Sequence, residues 1–399
     1  MSRTPWRIAL SGVVVSSLFL ASPAAAAAPA DAEEDSSLLG SSNSVLQDLV
    51  TGSSQFQGST GSSIDAALSS MSLLGSSEMS FEGPLLSSED GYPLETDPTI
   101  TEPEVIKIVE DTRADRLERW YVASPSMKRV VEVQVMRPAD PTAAAPMLYL
   151  LDGIGGNKNS SGWINDKEAP RVFEDEDVTV VMPLGAAASM YSDWQEEDPA
   201  LGTIKWETFI TEELAPLLEQ EESLNFNGKR AIGGLSMGAA GAVHLANSNP
   251  DFFDGVIGIS GCYSTLDQLG RTTVQLIVGS RGGDVTNMWG DFGSGTWQEH
   301  DVTRDPSGLL NMPVYLSAAT GAIGEADEGI YADEPFYNMV AGVVLERGSM
   351  ECTQNLENSL ETAGAEDLTV NYADTGGHNW SNYNAQLQPG WNAIRDALY

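Results

Sequence analysis

The stretch Gly233-Gly234-Leu235-Ser236-Met237-Gly238-Ala239-Ala240-Gly241 carries the pentapeptide G-x-S-x-G. Between a strand and a helix, this pattern makes a tight turn that pushes a serine hydroxyl out of the backbone. Alone it is a weak signal, because the chain of 399 residues holds 39 glycines and much serine. The flanks decide. Residues 230–232 read as a short apolar strand and residues 238–247 as a small-residue helix, which is the context the turn requires.

Working outward, strands are expected at 117–122, 129–135, 145–151, 178–182, 255–260, 313–318 and 368–372, and helices at 206–218 and 355–363. Residues 145–151 form a near-continuous apolar run, the signature of a strand buried on both faces. Strands alternating with helices predict an α/β fold with a mostly parallel central sheet covered by helices on both faces.

A serine nucleophile needs a base, and the chain offers three histidines. His244 lies eight residues along the helix from Ser236, roughly 12 Å at 1.5 Å per residue, too far to touch its hydroxyl. His300 sits in an irregular acidic stretch. His378 follows the last expected strand, where the chain order serine, acid, histidine places the base. For the acid, the loop after the penultimate strand nominates Glu325, Asp327 or Glu328, and the choice among acidic residues from Glu325 to Glu351 stays open.

The ends and composition bound the setting. Arg3 and Arg7, an apolar run over 8–20 and an Ala-rich tract read as a secretory signal peptide over 1–28. Residues 29–100 read as an acidic Ser/Gly-rich disordered spacer: residues 31–90 contain eighteen serines and no Lys or Arg, too little apolar surface to offset ordering. The catalytic domain is expected over 101–399. Export predicts a disulfide between the only cysteines, Cys262 and Cys352, closing a loop around Trp289 and Trp297 that reads as a lid. A formal charge of −38 excludes nucleic-acid binding and favours a monomer.

Several separated pieces, between about residues 116 and 395, resemble the mycolyltransferases of mycolic-acid bacteria, the antigen 85 proteins and their corynebacterial relatives. They are Ser124-Pro-Ser-Met127, Tyr149-Leu-Leu-Asp-Gly153, Gly162-Trp163, Val181-Met-Pro183, Tyr191-Ser-Asp-Trp194, Lys205-Trp-Glu-Thr-Phe209, Gly234-Leu-Ser-Met237, Met288-Trp-Gly290, and Gly377-His-Asn-Trp380 with Ala385-Gln-Leu387. The resemblance implies an α/β-hydrolase fold, Ser236 as nucleophile, His378 as base and Glu346 as acid, with the backbone N–H groups of Met237 and Ile154 as oxyanion donors. It implies that Asp152 contacts a trehalose hydroxyl and that Trp380 lines the sugar site; Trp163 and Trp194 are further candidates for stacking on sugar.

The implied activity is acyl transfer from trehalose monomycolate to a second one or to cell-wall arabinogalactan. It needs no cofactor or metal and takes place in the cell envelope, with a secreted carboxylesterase as the alternative. Where the mycobacterial members carry a Leu-Arg pair after Asp-Gly, this chain has Ile154 and Gly155. The spacer points to the corynebacterial branch.

Overall fold

The structure is a computed structural model that describes residues 91–332 and 336–399, the side chains of 336 and 337 excepted. The signal peptide and nearly all of the spacer expected from the sequence lie outside the described residues. One nine-stranded sheet organises the rest, with strands β1 (Glu104–Glu110), β2 (Leu117–Ser124), β3 (Arg129–Met136), β4 (Ala145–Leu151), β5 (Thr179–Pro183), β6 (Phe226–Leu235), β7 (Val256–Ile259), β8 (Val314–Ala319) and β9 (Leu368–Ala373). Their order is β1-β2-β3-β5-β4-β6-β7-β8-β9. The first three strands join antiparallel, β3 meets β5 antiparallel, and every pairing from β5 to β9 is parallel.

The central strand shows why the sheet must be covered on both faces. All seven residues of β4 are buried. Met147, Tyr149 and Leu151 enter one core, and Leu148 and Leu150 the other. Successive strand residues point to opposite faces, so an unbroken apolar run demands apolar cover on each. On the first face lies helix α1 (Met237–Ser248), contributing Ala239, Ala242, Val243 and Leu245. Also there are Leu356 and Leu360 of α4 (Phe336–Ala363), while α2 (Gln268–Gly279) and the short α3 (Glu325–Tyr331) precede α4 in the chain. The opposite face is closed by α5 (Trp380–Ile394), whose Leu387, Trp391 and Ile394 pack with Ile257, Ile259 and Tyr315.

The differences from the expected elements have local causes. β1 was not expected: its sequence EVIKIVE is mostly exposed and alternates charge with Ile and Val, a common defence of a sheet edge against pairing with other chains. β6 runs past the expected 230–232 into Gly233 and Gly234, which pair with Ile257 and Gly258 of β7. α4 was expected only over 355–363 but spans 28 residues, because Glu346 and its polar neighbours interrupt the apolar period while Glu346 points inward. The helical stretch from Trp206 to Glu219 carries a π turn over Phe209–Leu214.

Within the stretch read as a lid, Trp289 and Trp297 belong to the core. Trp289 and Trp297 are each 1% exposed, packed edge to face at 5.1 Å, with their indole N–H groups bonded to Ser192 Oγ and to the Gly290 carbonyl. Cys262 and Cys352 are bridged, which ties the segment after β7 to α4. Among the described residues no helix is long and apolar enough to cross a membrane.

Candidate active site

Ser236 joins β6 to α1 with φ 54° and ψ −120°, a left-handed conformation that costs a non-glycine residue roughly 1–3 kcal/mol. It is held there from outside: its N–H donates to the Ile259 carbonyl of β7 at 2.8 Å. Two glycines make the turn possible by close approach. A Cβ on Gly234 would fall 2.4 Å from the Gly238 carbonyl, and one on Gly238 would fall 2.5 Å from the Leu151 and Asp152 carbonyls. With both lacking side chains, α1 starts directly above β4. Met237 is the first residue of α1, so its N–H has no intrahelical acceptor and stands at the positive end of the helix dipole beside Ser236.

The sequence brought Ser236, Glu346 and His378 forward separately; the fold brings them together. His378 Nε2 lies 2.8 Å from Ser236 Oγ, and His378 Nδ1 lies 2.8 Å from Glu346 Oε2. Glu346 sits on α4 and is fully buried. Its second oxygen, Oε1, accepts from Ala319 N at 2.7 Å, Ser260 Oγ at 2.8 Å and Asn382 Nδ2 at 2.9 Å. A carboxylate taken out of water needs such donors to remain charged. Ala319 ends β8, Ser260 follows β7 and Asn382 lies in the first turn of α5, so three elements fix one carboxylate.

Of the loop alternatives for the acid, Glu325 and Glu328 are exposed on α3. Asp327 is buried, but its Oδ1 accepts from Gly377 N at 2.9 Å and Asn379 Nδ2 at 2.7 Å. It therefore binds the segment around the histidine and has no recorded bond to the ring. The other two histidines serve packing. His244 and His300 stack at 4.0 Å, and His300 lies 4.2 Å from the Trp289 ring. Burial holds His244 well below the usual histidine range and lowers His300 to about 4, so both are neutral at pH 7.

Sequence reasoning missed Ser260 and Asn382, and it nominated Asp327 only as a candidate acid. Asn382 carried a faint signal, being a polar residue four positions beyond His378. Ser260 carried none.

Asp152 follows β4. Its Oδ1 accepts from Ser161 Oγ at 3.1 Å and from Gly162 N at 3.0 Å, while its buried Oδ2 has no hydrogen-bond partner among the described residues. Burial pushes its carboxyl up to about 7. The next residue, Gly153, lies against the serine: a Cβ there would be 3.5 Å from Ser236 Cβ. That places Gly153 beside Ser236. Trp380, first residue of α5, is half-buried, with its ring over Gly162, where a Cβ would fall 2.0 Å from Trp380 Cζ2.

Two tryptophans considered for sugar stacking are corrected. Trp163 is wholly buried, donates to the Leu151 carbonyl at 3.2 Å and meets Trp380 edge to face at 5.4 Å, so it backs Trp380 and presents no face to a ligand. Trp194 is 1% exposed and donates to the Ser189 carbonyl at 3.0 Å. The apolar bulk of both rings fills core space.

With this geometry in place, comparison with known proteins identifies the lineage. The Esterase family model matches residues 124–394. The chain is 30% identical over 279 residues to a diacylglycerol acyltransferase/mycolyltransferase Ag85A of Mycobacterium leprae, covering 68% of this chain and 80% of that one. It is 32% identical over 277 residues to Ag85A of Mycobacterium tuberculosis, covering 68% and 78%. Among solved structures, MPT51 of Mycobacterium tuberculosis superposes with a TM-score of 0.60 at 24% identity, over 72% of this chain and all of that one. An S-formylglutathione hydrolase from Agrobacterium tumefaciens superposes at 0.54 and 16% identity, over 74% and 100%. The chain belongs to the esterase family with the α/β-hydrolase fold, among the relatives of the mycolyltransferases.

Proposed function

We propose that the protein is a secreted acyltransferase that moves a mycolyl group from trehalose monomycolate, through an ester on Ser236, to another trehalose monomycolate or to cell-wall arabinogalactan. The observation that carries this reading is the line Ser236 Oγ, His378, Glu346, joined by two contacts of 2.8 Å. The similarity to the Ag85A mycolyltransferases narrows the acyl group and the sugar.

In the first step His378 takes the proton of Ser236 as its oxygen attacks the ester carbonyl, and Glu346 stabilises the imidazolium. The developing oxyanion is received by the N–H groups of Met237 and Ile154; one such donor is typically worth about 3 kcal/mol. His378 then returns the proton to the departing trehalose oxygen. In the second step the imidazole takes a proton from the acceptor hydroxyl as its oxygen attacks the acyl-enzyme, and returns that proton to Ser236 Oγ as the Ser236 ester bond breaks. One ester is exchanged for another, so the reaction balances without a cofactor or metal.

Asp152, with its unpartnered buried oxygen, is the residue that meets a sugar hydroxyl, and Trp380 forms the adjoining wall. The signal peptide at 1–28, the spacer at 29–100 and the monomeric state belong to the same proposal: an exported, acidic enzyme associated peripherally with the envelope it modifies. Incubating the purified protein with trehalose monomycolate tests it. Trehalose dimycolate and free trehalose are the expected products; free mycolic acid as the sole product would assign a carboxylesterase instead.

A further inference from the structure

We infer that Asp327 is a positioning residue that holds the residues on both sides of His378, the Gly377 backbone and the Asn379 side chain, and so sets the pose of the imidazole between Ser236 and Glu346. The inference rests on the proposed role of His378 as the base. It deepens that reading with a group to which neither the motif nor the triad assigns a task.

Asp327 occupies the loop region where proteins built around this serine turn commonly keep the triad acid. In this chain Glu346, one helix later, has taken the imidazole. Asp327 is 2% exposed and its two oxygens are fully engaged. Oδ2 accepts from Gly324 N at 2.9 Å, which fixes the carboxylate to the start of its own helix. Oδ1 accepts from Gly377 N at 2.9 Å and from Asn379 Nδ2 at 2.7 Å, the residues immediately before and after the histidine. The histidine's own N–H donates to the Gly342 carbonyl of α4 at 3.0 Å. Three consecutive residues are therefore fixed from two helices.

The clamp extends to the acid. Asn379, held through its amide nitrogen by Asp327, uses its side-chain oxygen to cap α5, accepting from Ser381 N at 3.0 Å and Asn382 N at 3.4 Å. Asn382 in turn donates to Glu346 Oε1. One carboxylate thus fixes the segment bearing the base and the helix end whose asparagine holds the acid. Loss of this clamp frees the 377–379 segment to shift relative to Ser236, and displacements on the order of 1 Å at reacting groups cost about 100-fold in rate.

Two substitutions separate positioning from bulk stability. Asp327→Ala removes every acceptor. Asp327→Asn keeps an oxygen for Gly377 N and Asn379 Nδ2 and confines the change to the other side, where its NH2 faces Gly324 N–H instead of accepting from it. With a p-nitrophenyl ester as substrate, Asp327→Ala is expected to lower kcat roughly 10- to 100-fold with KM changed less than about twofold. Asp327→Asn is expected to recover most of kcat.

The second readout does not depend on turnover: the low-field proton resonance of His378 Nδ1–H bonded to Glu346, identified by its loss in His378→Gln. It should shift or broaden away in Asp327→Ala and persist in Asp327→Asn. If Asp327→Ala does not fold, Asn379→Asp serves, since it retains the cap on α5 but replaces the donor facing Asp327 by a second carboxylate; it should give the same two losses. An unchanged resonance and kcat in Asp327→Ala or Asn379→Asp would overturn the inference, as would Asp327→Asn being as impaired as the alanine variant. If the wild-type protein neither hydrolyses the ester nor takes up a fluorophosphonate at Ser236, the reading of the site fails, and the resonance still decides whether Asp327 fixes the ring.

Discussion

Asn382 donates its side-chain amide to Glu346 Oε1 at 2.9 Å, four residues past the histidine whose Nδ1 meets the other oxygen of the same carboxylate. The carboxylate that meets the histidine is thus also held by the helix that follows it. Replacing Asn382 by Ala leaves a buried carboxylate one donor short, an error that costs about 1–3 kcal/mol. Urea unfolding should show that loss together with a reduced kcat; an unchanged midpoint would mean that Ser260 and Ala319 suffice.

Ser236→Ala, His378→Ala and Glu346→Gln should each abolish most transfer while circular dichroism stays native, and double variants should be little worse than singles, because the three act as a unit. Glu325→Gln, an exposed change on α3, should retain wild-type activity. A dead Glu325→Gln beside an active Glu346→Gln would reverse the assignment of the acid.

The stacked histidines make the fold acid-sensitive. Burial depresses the folded-state value of His300 from 6.5 to about 4, so the stability it contributes is complete above pH 6.5 and is lost as pH falls toward 4. Melting temperature should decline over that interval, and His300→Phe, which keeps a ring beside Trp289, should flatten the decline. An equally steep decline in the variant would place the acid sensitivity elsewhere.

Asp152 acts with the opposite sign. Its folded-state value is raised from 3.8 to about 7, so its contribution is complete below pH 3.8 and is lost as pH rises through 7. Asp152→Asn should therefore be more stable than wild type above pH 7 while transferring acyl groups to sugar more slowly. Thermal melts at pH 5 and pH 8 check the first part and a transfer assay the second.

The bridge between Cys262 and Cys352 spans 90 positions of sequence and reaches α4 six residues beyond Glu346. A closed loop of that length is worth roughly 4 kcal/mol in the chain-entropy model. Cys262→Ser with Cys352→Ser should lower the urea midpoint and, by loosening α4, lower kcat. Two free thiols found by mass spectrometry in the native active protein would contradict the bridge.

Truncation follows from where the spacer meets the domain. Tyr92 Oη donates to the Gly185 carbonyl at 3.3 Å, and Leu94 Cδ1 would lie 3.7 Å from a Cβ on Gly185. A truncation that removes Tyr92 and Leu94 as well as the residues before them should therefore lower the melting temperature, which a thermal melt checks.

The sequence by itself determined the parallel core of the sheet and two of the reactive groups, Ser236 and His378. An apolar run such as Ala145–Leu151 has one stable outcome, a strand covered on both faces, and Gly234 and Gly238 around Ser236 permit a helix to start where any side chain would collide with backbone. With three histidines, the position of His378 after the last strand was enough to choose the base. Local pattern fails where a residue's surroundings come from distant parts of the chain. Glu346 reads as a polar break in a helix, and only the convergence of Ala319, Ser260, Asn382 and His378 makes it a buried acid. Trp163 and Trp194 look like ligand-facing aromatics until the tertiary fold encloses them, because a ring's apolar surface carries no mark of which neighbours will cover it. Periodicity records what a residue does to its own element; which carboxylate faces an imidazole depends on contacts between segments far apart in the chain, and those exist only once the sheet has brought its strand ends together.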